Sequence, residues 1–175
     1  MARTTELTLV VCLHVTVLTG CGRVAEPLTA KDEAHAVRLS QQEEIAVMVA
    51  VLSHIADNNE SVLGANAAAW CVAYADDGRA RSSYRDPPSV LIEYLGAQDQ
   101  RFARYSQCDV GELDPNRTTL ILYVQPALQA RDSGRVVVLG GYFESSLSAS
   151  GHRYELERLQ GGEWVVVEDS LLWIS

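Results

Sequence analysis

The last third of the chain contains four runs of strand-forming residues, and their spacing restricts the fold more than any other feature. Short polar or glycine-containing segments separate the runs, as is typical of turns between neighbouring strands. Such short connections favour antiparallel pairing, because a parallel pair needs a long crossover. We therefore predict a curved antiparallel sheet of four or more strands. The runs are Thr118–Val124, Arg135–Glu144, His152–Leu159 and Glu163–Asp169, and the predicted turns are 131–134, 148–151 and 160–162.

The composition of two runs predicts how the sheet is buried. Val136–Leu139 is apolar on both faces, which is typical of a central strand. Tyr154 and Leu156 alternate with charged residues, so one face of that strand is expected to face solvent. Gly140 and Gly141 lie inside the central run and predict a bulge or sharp bend that curves the sheet.

An amphipathic helix precedes the sheet. Ser40 and Glu43 have the spacing of a capping box, in which each side chain satisfies a free backbone N–H of the first turn. Apolar residues then recur every three or four positions, which predicts a helix from Gln41 to about Ala56 with one buried face. These residues are Ile45, Met48, Val49, Leu52, Ile55 and Ala56.

A strand-helix-strand unit is expected between this helix and the sheet. Ala68–Ala75 is rich in strand formers, and Arg101–Cys108 is expected to be extended. Between them, Asp86 fits an N-cap and Pro87 the first helical position, while Gly96 is expected to end the helix.

The first 20 residues have the features of a secretory signal. Arg3 supplies positive charge, and Leu7–Leu18 is an apolar run too short to span a bilayer. The alternative interpretation of Leu7–Leu18 is a buried strand of a cytosolic protein, because Thr, Val and Leu dominate it.

Leu18-Thr19-Gly20-Cys21 resembles the lipobox of bacterial lipoproteins. The resemblance implies cleavage before Cys21, a diacylglyceryl group on its sulfur and an acyl chain such as palmitate on its amine. In bacteria with two membranes, Gly22, where an Asp would favour inner-membrane retention, implies an outer-membrane anchor facing the periplasm. The expected organisation is a signal peptide (1–20), a tether (21–39) and a single α+β domain (40–175), with the membrane as a partner through Cys21.

The cysteine count then points to one disulfide. Cys12 would leave with the signal and Cys21 would carry lipid, so Cys71 and Cys108 remain as a pair in an oxidising compartment. A metal site is the competing interpretation, but the sequence has no C-x-x-C and no His at ligand spacing from either cysteine.

The charge of the chain argues against nucleic acid binding. There are 14 Lys and Arg residues against 23 Asp and Glu residues, giving a net charge of −9. An acidic surface repels phosphate backbones, and no basic cluster exists beyond the scattered Arg79, Arg81 and Arg85.

No catalytic or cofactor motif occurs in the sequence. We expect no catalytic residue, metal site or cofactor, and interpret Ser150-Gly151-His152 as a solvated turn. His54, near the end of the first helix, is interpreted as a favourable placement against the helix dipole. Asp57, Glu60, Asp76 and Asp77 are interpreted as a solvated acidic edge, with a calcium site as the alternative, and Trp70, Trp164 and Trp173 as core residues.

A series of short segments in the second half of the chain forms one pattern. The segments are the Cys71 strand, Asp86-Pro87-Pro88, Ser106-Gln107-Cys108, Gly141-Tyr142-Phe143, Gly151-His152-Arg153-Tyr154, Gly162-Glu163-Trp164-Val165-Val166 and Trp173-Ile174-Ser175. This pattern is similar to that of a loose group of small, uncharacterised bacterial lipoproteins. The similarity covers roughly Trp70 to Ser175 and adds no activity. A helix packed on a bent sheet is also similar in fold to cystatin-like or nuclear-transport-factor-like cones.

Three functions remain open from the sequence. The first hypothesis is a non-enzymatic, lipid-anchored module that binds another envelope component. The second is a small-molecule binder or hydrolase that uses the concave side of the sheet, which would require a pocket with converging buried polar groups. The third is an inhibitor or immunity-type protein that neutralises a basic partner through the net charge of −9.

Overall fold

The computed structural model describes residues 36–37, 39–59, 61, 66–76, 81–108, 119–130, 134–145 and 148–175. The predicted signal peptide, Cys21 and most of the predicted tether lie outside the described residues. The described helices are α1 (Gln41–Asn58) and α2 (Ser89–Gln98). The described strands are β1 (Ala36–Val37), β2 (Ala69–Tyr74), β3 (Phe102–Arg104), β4 (Thr119–Val124), β5 (Leu128–Ala130), β6 (Val136–Ser145), β7 (Ser148–Arg158) and β8 (Trp164–Ile174).

Helix α1 begins at the predicted capping box. The Glu43 N–H donates to Ser40 Oγ at 3.4 Å, and the Ser40 N–H donates to Glu43 Oε2 at 3.3 Å. One face of the helix is buried, as predicted. Among the described residues, no helix is both long and apolar enough to cross a membrane. The buried residues of α1 are Val47, Met48, Val51, Leu52, Ile55 and Ala56.

The strands form one open, mixed sheet. Its main order is β3-β2-β4-β6-β7-β8, and a short β5-β1 ribbon continues from the first residues of β6. Strand β2 runs parallel to both β3 and β4. Parallel neighbours need a long crossover connection, and the chain between β2 and β3 contains α2. The other described pairs are antiparallel. The predicted α+β class is confirmed, and β1 shows that sheet pairing extends into the segment predicted as tether.

The strand-helix-strand unit closes on itself through the predicted disulfide. Cys71 lies in β2, and Cys108 follows β3 after a single 3-10 turn. Their sulfurs are bonded at 1.99 Å, with Cα atoms 6.1 Å apart. The predicted pairing of Cys71 with Cys108 is confirmed.

Both predicted end signals of α2 are wrong. Pro88 occupies the N-cap, without a side-chain capping bond. The Asp86 carboxylate instead accepts hydrogen bonds from the Ser106 N–H at 2.8 Å and the Ser106 hydroxyl at 2.6 Å, so tertiary partners replace the local cap. Gly96 lies within the helix, which continues to Gln98.

A hydrophobic cluster lies on each face of the sheet. The larger one fills the space between the sheet and both helices, and it includes Trp70 and Trp164 as predicted. The smaller one, on the opposite face, surrounds Cys71 and is bordered by Trp173. Alternation along β2 and β4 divides the residues between the two faces. The smaller cluster consists of Cys71, Ala73, Ala75, Tyr84, Ile121 and Tyr123.

Strand β7 begins earlier than the sequence indicates, so the predicted turn at 148–151 is wrong. Ser148 already pairs with Ser145, and pairing with β6 continues through Gly151. Position 151 has no room for a side chain, because the Trp173 indole lies against the backbone there. An added Cβ at Gly151 would be 2.1 Å from Trp173 Nε1. No bulge occurs at Gly140 or Gly141, whose register is regular on both sides.

Candidate functional site

Strand β7 aligns a hydroxyl, an imidazole and a phenol on the face that α1 covers. Side chains two residues apart in a strand share a face, and Ser150, His152 and Tyr154 have this spacing. Ser150 is 2% exposed. From the other face of the sheet, the Tyr123 hydroxyl donates to the Ser150 carbonyl oxygen at 3.0 Å, which fixes the backbone there.

Two bulges in β8 bring a carboxylate to the same face. Strict alternation from Trp164 would place Glu168 and Ser170 beside the core and Asp169 on the opposite face. The register shifts between Glu155 and Leu156, and again between Gly151 and His152, and each shift adds one residue to β8. Between the two bulges the alternation is therefore inverted, so that Asp169 lies opposite Tyr154.

The last turns of α1 complete the cluster. His54 and Asn58 are four residues apart and thus lie on one side of the helix. His54 Nε2 is 3.2 Å from Asp169 Oδ2. The Asn58 amide donates to the His54 carbonyl oxygen at 2.9 Å and lies 3.3 Å from His54 Nδ1.

The hydrogen bonds assign a tautomer to each imidazole. Asn58 donates to His54 Nδ1, so the His54 proton is on Nε2, where it is donated to Asp169. His152 Nδ1 donates to Asp169 Oδ1 at 2.6 Å, which leaves the His152 Nε2 lone pair facing Ser150 Oγ at 3.0 Å. The result is a continuous chain from the Ser150 hydroxyl to the Asp169 carboxylate.

Tyr154 holds both imidazole rings in place. The His152 ring stacks on it with centroids 5.7 Å apart and planes 6° apart, and the His54 ring meets it edge-on at 5.7 Å. Burial raises the pKa of Tyr154 strongly, and the charge of Asp169 adds to this effect. The phenol is therefore a neutral packing surface.

Opposing effects act on the Asp169 carboxyl. Burial tends to raise its pKa, but the hydrogen bonds and charge of His152 and His54 outweigh burial, so the pKa lies below its ordinary value. Asp169 is thus held as a carboxylate that accepts from both rings. Since each carboxylate oxygen already binds an imidazole N–H, these groups form a hydrogen-bonded chain and are not arranged as metal ligands.

These groups lie in a cleft of about 500 Å³ beyond the C-terminal end of α1. We call it the polar cleft. Asn59 is one of the residues that line it, and its Nδ2 is buried and has no hydrogen-bond partner in the described part of the chain. The apolar wall of the cleft is formed by Ile55, Leu171 and Ile174. The other lining residues are His54, Asn58, Ser61, Tyr142, Glu144, Ser148, Ser150, His152, Tyr154 and Asp169.

A second groove, of about 950 Å³, follows the other side of α1 towards α2 and β8. Its walls include Ile45, Val49, Val166 and the half-exposed Tyr94. No comparable chain of polar groups crosses it among the described residues. The polar cleft is therefore the candidate functional site.

The cluster differs from what the sequence suggests. Ser150 and His152 are bonded residues of a strand, so their interpretation as a solvated turn is wrong. His54 binds a carboxylate on another element, so the helix dipole is not its main partner. Of the predicted acidic edge, Asp76 pairs with Arg85 at 2.5 Å, whereas Glu60 and Asp77 lie outside the described residues.

The period-two spacing of Ser150, His152 and Tyr154 was the one sequence signal for this site. Nothing in the sequence marks Asp169, because its position depends on the bulges. Comparison with known proteins adds no assignment, since no family model, curated protein or solved structure matches this chain.

Proposed function

We propose that the domain binds a small neutral carbonyl compound in the polar cleft. The observation that carries this proposal is the buried, unpartnered Nδ2 of Asn59, a residue that lines the cleft together with Ser150, His152 and Asp169. An unpaired buried donor costs about 1–3 kcal/mol, which a carbonyl oxygen would offset. Native structures contain few such groups, and each calls for a physical explanation.

The charge and size of the cleft favour a neutral ligand. Asp169 and Glu144 both line it, and carboxylates repel anions. Ile55, Leu171 and Ile174 supply an apolar wall. A volume of about 500 Å³ falls in the ordinary range for small-molecule pockets. These features support the small-molecule hypothesis over the interaction-module hypothesis that the sequence favoured.

The proposal can be tested with 2-pentanone, a ketone that cannot be hydrolysed. Titration should shift the imidazole NMR signals of His54 and His152 saturably. Asn59→Ala should weaken binding, because the ligand oxygen loses its donor. Gln98→Ala removes an exposed amide outside the cleft and should leave the binding curve unchanged. Unchanged His54 and His152 signals at saturating ketone would end the proposal.

We further infer that this domain is displayed on a bacterial envelope, at the outer membrane, by lipid at Cys21. The support is the Leu18-Thr19-Gly20-Cys21 tetrapeptide after an apolar run. Two or more acyl chains hold a protein stably on a membrane, whereas one chain binds marginally. A clickable palmitate analogue fed to cells should label the wild type and not Cys21→Ser. Equal labelling of the two chains would contradict the anchor.

A further inference from the structure

The polar cleft contains the three hydrogen-bonded groups of a nucleophilic catalyst. Such a site needs a nucleophile within hydrogen-bonding reach of a base, and a third group that orients the base. Ser150 Oγ is 3.0 Å from His152 Nε2, and His152 Nδ1 is 2.6 Å from Asp169 Oδ1. Both distances satisfy this requirement, and such sites are recognised by geometry and not by order in the chain.

The tautomer is the one that general-base catalysis requires. Asp169 accepts the His152 Nδ1 proton, so the Nε2 lone pair is free to take the proton from Ser150 Oγ. His54 cannot fill this role, because its Nε2 donates to Asp169 and its Nδ1 accepts from Asn58. His54 is a positioning residue that holds the second carboxylate oxygen.

A donor is also available for the charge that develops on the substrate. Acyl transfer places negative charge on the former carbonyl oxygen, and a preorganised donor in a dry site stabilises that charge. Asn59 lines the same cleft as Ser150, and its buried Nδ2 has no partner among the described residues. The Asn59 amide, which would donate to a ketone oxygen, is therefore also suited to stabilise the oxyanion.

We propose that Ser150 is the nucleophile, His152 the general base and Asp169 the orienting carboxylate of a site that hydrolyses neutral, short-chain carboxylic esters. This inference rests on the proposed carbonyl-binding function. It specifies that the bound carbonyl compound is an ester and that the site hydrolyses it.

The reaction needs only ester and water. Ser150 Oγ forms a bond to the carbonyl carbon as its proton passes to His152 Nε2. The tetrahedral adduct collapses, the bond from carbon to the alcohol oxygen breaks, and that oxygen takes the proton from Nε2. Water then attacks the acyl-Ser150 carbonyl and gives a proton to Nε2. The bond from that carbon to Ser150 Oγ then breaks, Oγ takes the proton back from Nε2, and the carboxylic acid is released.

The test uses a fluorophosphonate probe and p-nitrophenyl butyrate with the purified full-length chain. We expect one phosphonylated residue in the wild type, identified as Ser150 by peptide mass spectrometry. Ser150→Ala should lose both labelling and ester hydrolysis. Asp169→Asn should reduce hydrolysis by about 10,000-fold, because it disturbs the His152 tautomer. Asn59→Ala should reduce kcat by at least about 100-fold.

Ser170→Ala is the matched control. Ser170 lies on β8 next to Asp169, but its hydroxyl donates to Glu168 and it does not line the cleft. The Ser170→Ala variant should be labelled by the fluorophosphonate at the wild-type rate. Because labelling is mapped on the wild type, the result does not depend on a variant that folds poorly.

Two results would overturn the catalytic assignment. One is the absence of phosphonylated Ser150 in the wild type, and the other is equal labelling of wild type and Asp169→Asn. The 2-pentanone titration on the same wild-type preparation separates the two proposals. Shifted His54 and His152 signals without Ser150 labelling would leave a binding site that is not catalytic, whereas unshifted signals would remove the binding proposal as well.

Discussion

At the scale of single residues, Asp169 organises the polar cleft. Its two oxygens accept from His152 and His54, and these rings pack on Tyr154. The buried Ser150 hydroxyl depends on His152 as its partner, and an unpaired buried hydroxyl costs about 1–3 kcal/mol. Loss of the carboxylate would therefore leave imidazole N–H groups unpaired and release the ring that Ser150 binds.

We expect the contribution of Asp169 to stability to disappear at acid pH. The groups that face its carboxyl are His54 on α1 and His152 and Tyr154 on β7. Its folded pKa lies below the unfolded value of about 3.9, so the stabilisation is present above that value and is lost as pH falls through the folded pKa. Urea unfolding of wild type and Asp169→Asn should give free energies whose difference is constant above about pH 4 and shrinks as the pH is lowered further.

Glu168→Gln is the control for this experiment. Glu168 is adjacent in sequence and accepts a hydrogen bond from Ser170, outside the polar cleft. Its substitution removes one surface carboxylate without touching either imidazole. A constant gap between wild type and Asp169→Asn across the same pH range would show that the pKa of Asp169 is not depressed by folding.

At the scale of elements, β8 explains why the site escapes sequence analysis. A β7–β8 hairpin that kept the pairing of Trp164 with Arg158 and had no bulge would put Glu168 opposite Tyr154 and turn Asp169 to the face of Glu155. Val167 and Leu172 are the extra residues of the two bulges. The first bulge inverts which side chains of β8 face the core, and the second restores the original alternation. Bulges change which side chains a strand presents, so pattern alone assigns the wrong face.

Deletions in β8 should separate these possibilities. Deleting Val167 removes the first bulge but leaves Asp169 opposite Tyr154, so Ser150 labelling by the fluorophosphonate should persist. Deleting Val167 and Glu168 together gives a regular hairpin in which Trp173 and Ile174 keep their partners. Asp169 then faces away from His152, and labelling should fall to the level of Asp169→Asn. The measurement is the labelling rate of each folded variant.

The two deletion variants control for each other, because both shorten the same exposed part of β8. Circular dichroism and urea midpoints should show that both fold. Equal labelling of the single and double deletions would mean that the register of β8 does not position Asp169, and would contradict the account of the bulges.

The parts of the fold that the sequence predicts are those determined by local chemistry. Ser40 and Glu43 cap α1 because the partners lie three residues apart. The turn at 160–162 forms where Gly162 adopts a φ of 88°. Asp86 shows the opposite case, since it meets every local requirement of a cap but binds Ser106, twenty residues later. The polar cleft also combines distant segments, and no local pattern contains it.

At the scale of the whole molecule, the two faces of the sheet have different roles. One face carries α1, α2 and the polar cleft, and the other carries the smaller hydrophobic cluster with the disulfide. Cys71 is fully buried on that second face, and its side chain points away from the residues of the cleft. A covalent link there stabilises the scaffold without entering the site.

Removing the disulfide should therefore lower stability and leave the site intact. The bond closes a loop of 37 residues, and the chain-entropy model gives a loss of about 4 kcal/mol on its removal. Urea unfolding of wild type and of the Cys71→Ala/Cys108→Ala double variant should show this difference. In native buffer, the double variant should keep the Ser150 labelling rate of the wild type, because the cleft lies across the sheet. Non-reducing peptide mapping of the wild type should link Cys71 to Cys108. Two alkylatable thiols in the native protein would contradict this assignment, and so would equal unfolding free energies for the wild type and the double variant.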